Sequence, residues 1–402
     1  MTEQERRQRI RQWAAVYEET YRQMDSSMPL LQNFSLWKSA CTGDPIPGNE
    51  MRQWLEDTLD AIRDLHADSI LEVGCGHGLL LLRLAGECAR YVGVDFSAAA
   101  LNRLCKALEK LPPEQLENLD VDLCQAEATD LASVGEEIFD ALVYNSVVQY
   151  FPDTAYLLHA LEHGLKHIRK GGKVFIGDVR NAAALPLFRI SRLLCELPGG
   201  TSAARFREEL NSMADEEELL VPPEFWHSLQ GERLARMRAF TRPKPGSAYN
   251  ELMKFRYDVT LVDEKTPPLS AKLVLPWEKI SEAGKPQDIL AGILAGLLLP
   301  VPQTCGLSVT GIPDARTHKE RSVCTSMLAE GSSPALTLAS ALDLAENAAG
   351  SARELGLLPA EVHALAQDHG MRADILLDHR DGLSLTALFY AQDPEKMEGA
   401  HA

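Results

Sequence analysis

None of the eight cysteines stands in a C-x-x-C pair or at any metal-ligand spacing, so a zinc ribbon is excluded and no metal site is expected. Thiols scattered in this way read as reduced, mostly buried residues of a reducing compartment. No basic run offsets the formal charge of −18, and a net anion is repelled by nucleic acid and by anionic membrane surfaces. Neither is an expected partner. The longest apolar stretch, residues 289–299, is too short for a bilayer span and contains two glycines. The start, Met1-Thr2-Glu3-Gln4-Glu5-Arg6-Arg7, opens a charged helix without the apolar core of a secretory leader, which makes the cytoplasm the expected location. No internal repeat is visible. With 402 residues, 45% apolar and 24% charged, the composition is that of a globular protein long enough for more than one domain.

What is present is the stretch Ser69-Ile70-Leu71-Glu72-Val73-Gly74-Cys75-Gly76-His77-Gly78, followed by four leucines. It reads as a buried strand, a glycine turn and the first turn of a helix. Such a unit seats nucleotides, because glycines let a ligand approach the backbone and the helix start offers free N–H groups. The spacing is E-x-G-x-G-x-G rather than the dinucleotide pattern G-x-G-x-x-G, which argues against a nicotinamide dehydrogenase. S-adenosylmethionine has no pyrophosphate, so a tighter turn suits it, with the methionine part over Gly74, Gly76 and Gly78. Downstream, Tyr91-Val92-Gly93-Val94-Asp95-Phe96-Ser97 reads as a second strand whose terminal acid is placed to accept both ribose hydroxyls. Glu127 and Ala128 fall where a third strand's loop meets the adenine, and a fourth strand leads into Asn145. Successive strand ends converging on one crevice make a methyl-donor site, with Glu72, Asp95, Phe96 and Ser97 among its expected contacts.

The fold expected is α/β, a Rossmann-like seven-stranded sheet. Strands are expected near 70–73, 91–94, 121–126, 141–145 and 173–178, with helices near 79–88, 97–111 and 155–168. Two late strands, 233–241 and 254–262, suit an antiparallel edge. Residues 1–66 form a helical leader, with Ile10, Trp13, Tyr17 and Tyr21 on one face and a second helix over 50–65. It is either a lid over the site or packing on the sheet edge. As a lid it would shield a sulfonium reagent and bring Tyr17 and Tyr21 to the substrate. The core would run over 67–264 with a helical, substrate-side insertion near 185–230, and 265–402 would be a small α/β accessory domain.

Several motifs taken together resemble one group. They are Trp13, Tyr17 and Tyr21, Phe34 and Trp37, Thr42-Gly43-x-Pro45-Ile46-Pro47, the glycine stretch, and Asp95-Phe96-Ser97. To these belong the run from Asn145 to Pro152, Gly177-Asp178-Val179-Arg180, and Asn250-Glu251-Leu252 with the residues from Phe255 to Val259. The chain resembles the methyltransferase domains embedded in nonribosomal peptide synthetases and hybrid polyketide synthases. The likeness covers almost its whole length, including Gly311-Ile312-Pro313-Asp314-Ala315-Arg316. His77 departs from it, standing where the group usually has threonine. Both a free-standing enzyme and one domain of a longer polypeptide fit this likeness.

The resemblance implies methyl transfer from S-adenosylmethionine to nitrogen or oxygen of a small-molecule acceptor, held on a carrier protein by a phosphopantetheine arm. A hydroxyl would need a general base, whereas an amine needs only to be neutral. Asp178, at the end of strand five, is the first candidate base or orienter, with Arg180 beside it as an ion-pair partner. Glu251 and Asn250 are the second candidates, or else fix a turn. Asn145, Gln149 and Tyr150 follow strand four, where an acceptor would lie. His159, His163 and His167 share one helix face but have no companion carboxylate, so they read as solvated. A methyltransferase of a free small molecule and a catalytically silent docking domain are the competing readings.

Overall fold

Apolar runs buried on both faces belong to parallel strands covered by helices on each side. Four such runs are β1 (Ser69–Val73), β2 (Arg90–Asp95), β4 (Phe139–Asn145) and the second half of β5 (Ile168–Arg180), while β3 (Asp120–Gln125) is a half-exposed edge. β6 (Met237–Pro243) and β7 (Arg256–Asp263) complete the sheet. The computed structural model describes residues 1–25, 28–117, 119–229, 234–266, 271–296, 305–329, 333 and 335–391. Strand order is β3-β2-β1-β4-β5-β7-β6, with β7 antiparallel to both of its neighbours. β1 therefore pairs with β2 on one side and β4 on the other, and this reversal opens a crevice beyond their carboxyl ends.

Helix α1 (Glu3–Gln23) begins with a capping box from Thr2 to Glu5. Helix α2 (Gly48–Arg63) buries Met51, Trp54, Leu55, Thr58, Leu59 and Ile62, the stripe its periodicity requires. Two expected elements differ. The helix expected over 79–88 is the single turn α3 (Leu81–Leu84), because Gly86 adopts φ +92° and turns the chain away. The helix expected to end at 168 stops at Leu165, and the glycine turn after it is absorbed into β5. There the register slips from Phe139 opposite Ile168 to Ala141 opposite Lys173. Helix α4 (Ala98–Leu108) follows β2, with Ser97 as its N-cap.

A second sheet, in the order β10-β11-β9-β8, comprises β8 (Ala271–Pro276), β9 (Cys305–Ile312), β10 (Met371–Leu377) and β11 (Leu385–Ala391). β8 was not foreseen. Its Leu273 and Val274 are both exposed at the sheet edge, so the period-2 burial that marks a strand is missing. The helical insertion does not stand alone. Ile190, Leu193 and Phe206 from it share a core with Val323, Met327 and Leu338 of the C-terminal part. Arg316, almost wholly buried and paired with Asp314, ties the C-terminal part to the segment after β6 as well, through the carbonyls of Lys244 (2.7 Å) and Gly246 (2.9 Å). Among the described residues, no helix is long and apolar enough to cross a membrane, and no group of three metal-ligating side chains comes together.

Candidate functional site

The three turn glycines have φ of +82°, +53° and +85°, a region that side chains disfavour. Space forbids them as well. A Cβ on Gly74 would lie 2.2 Å from Val147 Cγ2, and one on Gly76 would lie 2.6 Å from the Tyr21 hydroxyl. With α3 only four residues long, the turn's own backbone has to carry the binding rather than a helix terminus.

Asp95 fastens that turn. Its carboxylate accepts the N–H groups of Gly76 and Ser97, each at 2.8 Å. Burial pushes its pKa up to about 6, and these two bonds oppose the shift. Two N–H donors leave carboxylate lone pairs unused, as a pair of ribose hydroxyls requires. Phe96, Glu127 and Ala128 line a slot of about 80 Å³ beside Asp95. Ser97 is not on its wall, because its hydroxyl donates to Glu18 (2.7 Å) and accepts from Ala100 (3.1 Å). Glu72 also stands behind the turn and accepts the Tyr91 hydroxyl at 2.8 Å. Burial raises its pKa to about 7.

A raised carboxyl pKa makes folding weaken as pH climbs from the unfolded value of 4.5 through the folded value. Glu72→Gln removes that titration and keeps an acceptor for Tyr91. The variant is expected to exceed the parent in thermal stability at pH 8, by up to about 3 kcal/mol, and to match it at pH 4. Melting curves at the two pH values check this.

The slot opens into a cavity of about 410 Å³. Trp13, Tyr17, Tyr21, Gly74, Ser146 and Tyr150 wall both. Helix α1 thus lies across the crevice. The Tyr17 ring meets Tyr150 edge-on at 4.9 Å, and Trp13 lies 4.8 Å from the same ring. Polar contacts pin the helix at both ends. Arg6 bonds Asp153 at 2.7 Å, Glu18 accepts from Ser97 and Ala99, and Arg103 donates to the Tyr21 carbonyl at 2.6 Å. His77 lines the cavity below Tyr21. Burial, aided by the charge of Arg103, drops its pKa to about 4, so the ring is neutral near pH 7, and its Nε2 has no partner.

Asp178, fully buried, is not on the cavity wall. Burial raises its pKa, but Arg256, Lys244, Ser146 and Trp54 together outweigh that and hold it below the ordinary value. Arg256 and Ser146 donate at 2.8 Å, Trp54 at 3.2 Å, and the Lys244 ammonium lies at 3.4 Å. A carboxylate so saturated is a poor base; it orients Ser146 and Arg256, which do face the cavity. Arg180 is not its partner, contrary to expectation. The register of β5 breaks between Ile176 and Val179, and Asp178 itself sits at φ +69°, which turns its carboxylate toward Arg256. Arg180 lines the cavity and pairs with Glu216 (2.7 Å) and Glu218 (3.3 Å). Glu216, Glu217 and Glu218 all line the cavity as well.

Asn145 and Gln149 both line the cavity, and each carries a buried side-chain oxygen without a partner. Asn145 Oδ1 lies 2.2 Å from where a Cβ on Gly177 would be, so residue 177 has no room for a side chain. Glu251 reaches the cavity with its carboxylate holding the Ala40 N–H (2.5 Å). Asn250 is a helix N-cap, accepting from Met253 and donating to Glu50 at 2.6 Å, and stands outside the cavity.

The strand order, the glycine turn and the acid closing β2 coincide with a family model described as a methyltransferase domain, which matches residues 71–174. This is a class I methyltransferase domain. Chondramide synthase cmdD of Chondromyces crocatus is 33% identical over 317 residues, 78% of this chain and 8% of that protein. The nonribosomal peptide synthetase asqK of Emericella nidulans is 32% identical over 72% of the chain and 11% of its own length. Cyclosporin synthetase simA of Tolypocladium inflatum is 30% identical over 74% of the chain and 2% of its length. The methyltransferase thus spans about a tenth or less of these relatives. Among solved structures, magnesium protoporphyrin IX methyltransferase from Synechocystis PCC 6803 with bound SAH aligns over 62% of this chain and 95% of its own. The identity is 12% and the TM-score 0.39.

The methyl donor is S-adenosylmethionine, and the residues present fit it. Asp95 would take the ribose hydroxyls, Phe96, Glu127 and Ala128 the adenine, and the glycine turn the methionine part. The unpartnered His77 Nε2 would add a polar contact on that side.

Proposed function

We propose that this methyltransferase acts on an amine of a peptide or polyketide intermediate tethered to a carrier protein. The bound donor supplies an electrophilic methyl carbon; the chain supplies position. In-line displacement at an activated carbon is governed by approach, and the aromatic wall of Trp13, Tyr17 and Tyr150 restricts that approach and excludes water. The observation that carries the nitrogen reading is the state of the carboxylates. Asp178 is saturated, Glu216 and Glu218 are tied to Arg180, and Glu251 is engaged by Ala40. Glu217, on the same wall but exposed to solvent, has no such tie; the other carboxylates are committed, and a neutral amine, which brings its own lone pair, needs no base. Gln149 Oε1, buried and without a donor, suits an N–H of that amine.

The carrier reading is supported by relatives that are synthetases and by a likeness reaching far beyond the 71–174 core. Intact-mass measurement of a loaded carrier protein, set beside the same acyl group as the free acid, tests it. The expected result is a gain of one methylene mass on the carrier-bound substrate, with much slower reaction of the free acid. Equal rates on both would favour a methyltransferase of free small molecules.

A further inference from the structure

A second cleft, of about 920 Å³, lies between the loop over 39–47, the helical insertion and the C-terminal part. We infer that it receives the extended remainder of the acceptor, a linear chain carrying secondary amides, so that the C-terminal part completes the substrate site. This rests on the functional reading above. The first argument is space. Ligand pockets run to roughly 300–1,000 Å³, and the first cavity, at about 410 Å³, accommodates the donor and only the reacting end of an acceptor. A longer acceptor must continue elsewhere. The second cleft shares Ile46 and Glu251 with the first, so the two adjoin along one wall.

The second argument is chemical. Glu320 lines the cleft and is 2% exposed; one carboxylate oxygen takes the Lys254 ammonium and the other, Oε2, is buried with no partner. A buried unmet carboxylate oxygen is costly unless a donor arrives. An amide N–H is such a donor, and the adjacent Lys254 ammonium, also on the wall, suits an amide carbonyl. Acceptor and donor side by side match the two faces of a peptide-like linkage. The third argument is rigidity. Arg316 fastens the C-terminal wall to the carbonyls of Lys244 and Gly246, so the cleft is a fixed feature rather than a gap between loose parts.

Pantetheine, a linear diamide thiol, is the direct probe, titrated into the full chain and followed by calorimetry. The inference expects measurable binding to the parent, weakened about tenfold or more in Glu320→Gln, the value of one charge-assisted hydrogen bond. Ala315→Phe narrows the cleft without touching the Lys254–Glu320 pair and is expected to weaken binding similarly, should the first variant fold poorly. Extended acceptors should lose kcat/KM relative to truncated ones in both variants. No binding of pantetheine to the parent, or equal binding to the folded variants, overturns the inference. Pantetheine binding that depends on Glu320, in an enzyme that methylates no acceptor, would uphold the cleft and refute the functional reading.

Discussion

Asp95→Ala is expected to weaken S-adenosylmethionine binding by at least about a hundredfold while the sheet remains folded. A hydrogen bond to a charged group contributes about 1.5–3 kcal/mol, and two ribose hydroxyls lose that acceptor together. A tenfold change corresponds to about 1.4 kcal/mol, so the loss spans two decades or more. Part of the effect passes through the turn, because the Gly76 and Ser97 N–H groups lose their partner too. Asp95→Asn retains one accepting oxygen and is expected to fall between parent and alanine variant. Acidification should mimic the substitution. With burial holding the Asp95 pKa up at about 6, protonation below that pH removes the charged acceptor. Affinity is then expected to fall by up to about tenfold per pH unit. Calorimetric titration at pH 8 and pH 5, with circular dichroism as the fold control, measures both effects.

Asp178→Ala is expected to destabilise the protein by about 3 kcal/mol and to abolish turnover. Removing one partner of a buried ion pair leaves the other charge without compensation. Here Arg256 loses its 2.8 Å partner and keeps Glu218 at 4.0 Å, while Lys244 retains Asp258 at 2.7 Å. That second pairing keeps the expected cost at the lower end of the range. Ser146, at φ +54°, also loses the carboxylate to which its hydroxyl donates, so a strained residue between the donor slot and the main cavity is released. The sign of the pH effect follows from the lowered pKa. A carboxylate held below its ordinary value stabilises above that value and loses the contribution as pH falls. The gap between parent and variant should therefore be full at pH 7 and shrink below about pH 4. Denaturant midpoints across pH check this, and an unchanged midpoint at pH 7 would remove Asp178 as an organiser.

The alternation of buried runs with helical periods was enough to foretell the seven-stranded sheet, and the spacing of Gly74, Gly76 and Gly78 marked the tight turn after β1. These signals are local: each is written in a few consecutive residues. What the sequence did not show depends on long-range geometry. The partner of Asp178 is Arg256, 78 residues away, chosen by a register break that no pattern announces. Ser146 and Asp178 hold positive φ as non-glycine residues, a strain imposed by their surroundings rather than by their type. Glu216 and Glu218 join the wall beside Arg180, a pairing across the chain that no local pattern announces. β8 escaped notice for the converse reason, since an exposed edge strand has no burial period to read.

Hydrogen exchange of the full chain with and without S-adenosylmethionine addresses the convergence of strand ends most directly. Slowed exchange is predicted at 74–78, 95–97, 126–128 and 145–150 together, the four segments that follow β1, β2, β3 and β4. Protection confined to one of them, or appearing only outside the crevice, would contradict a single donor pocket.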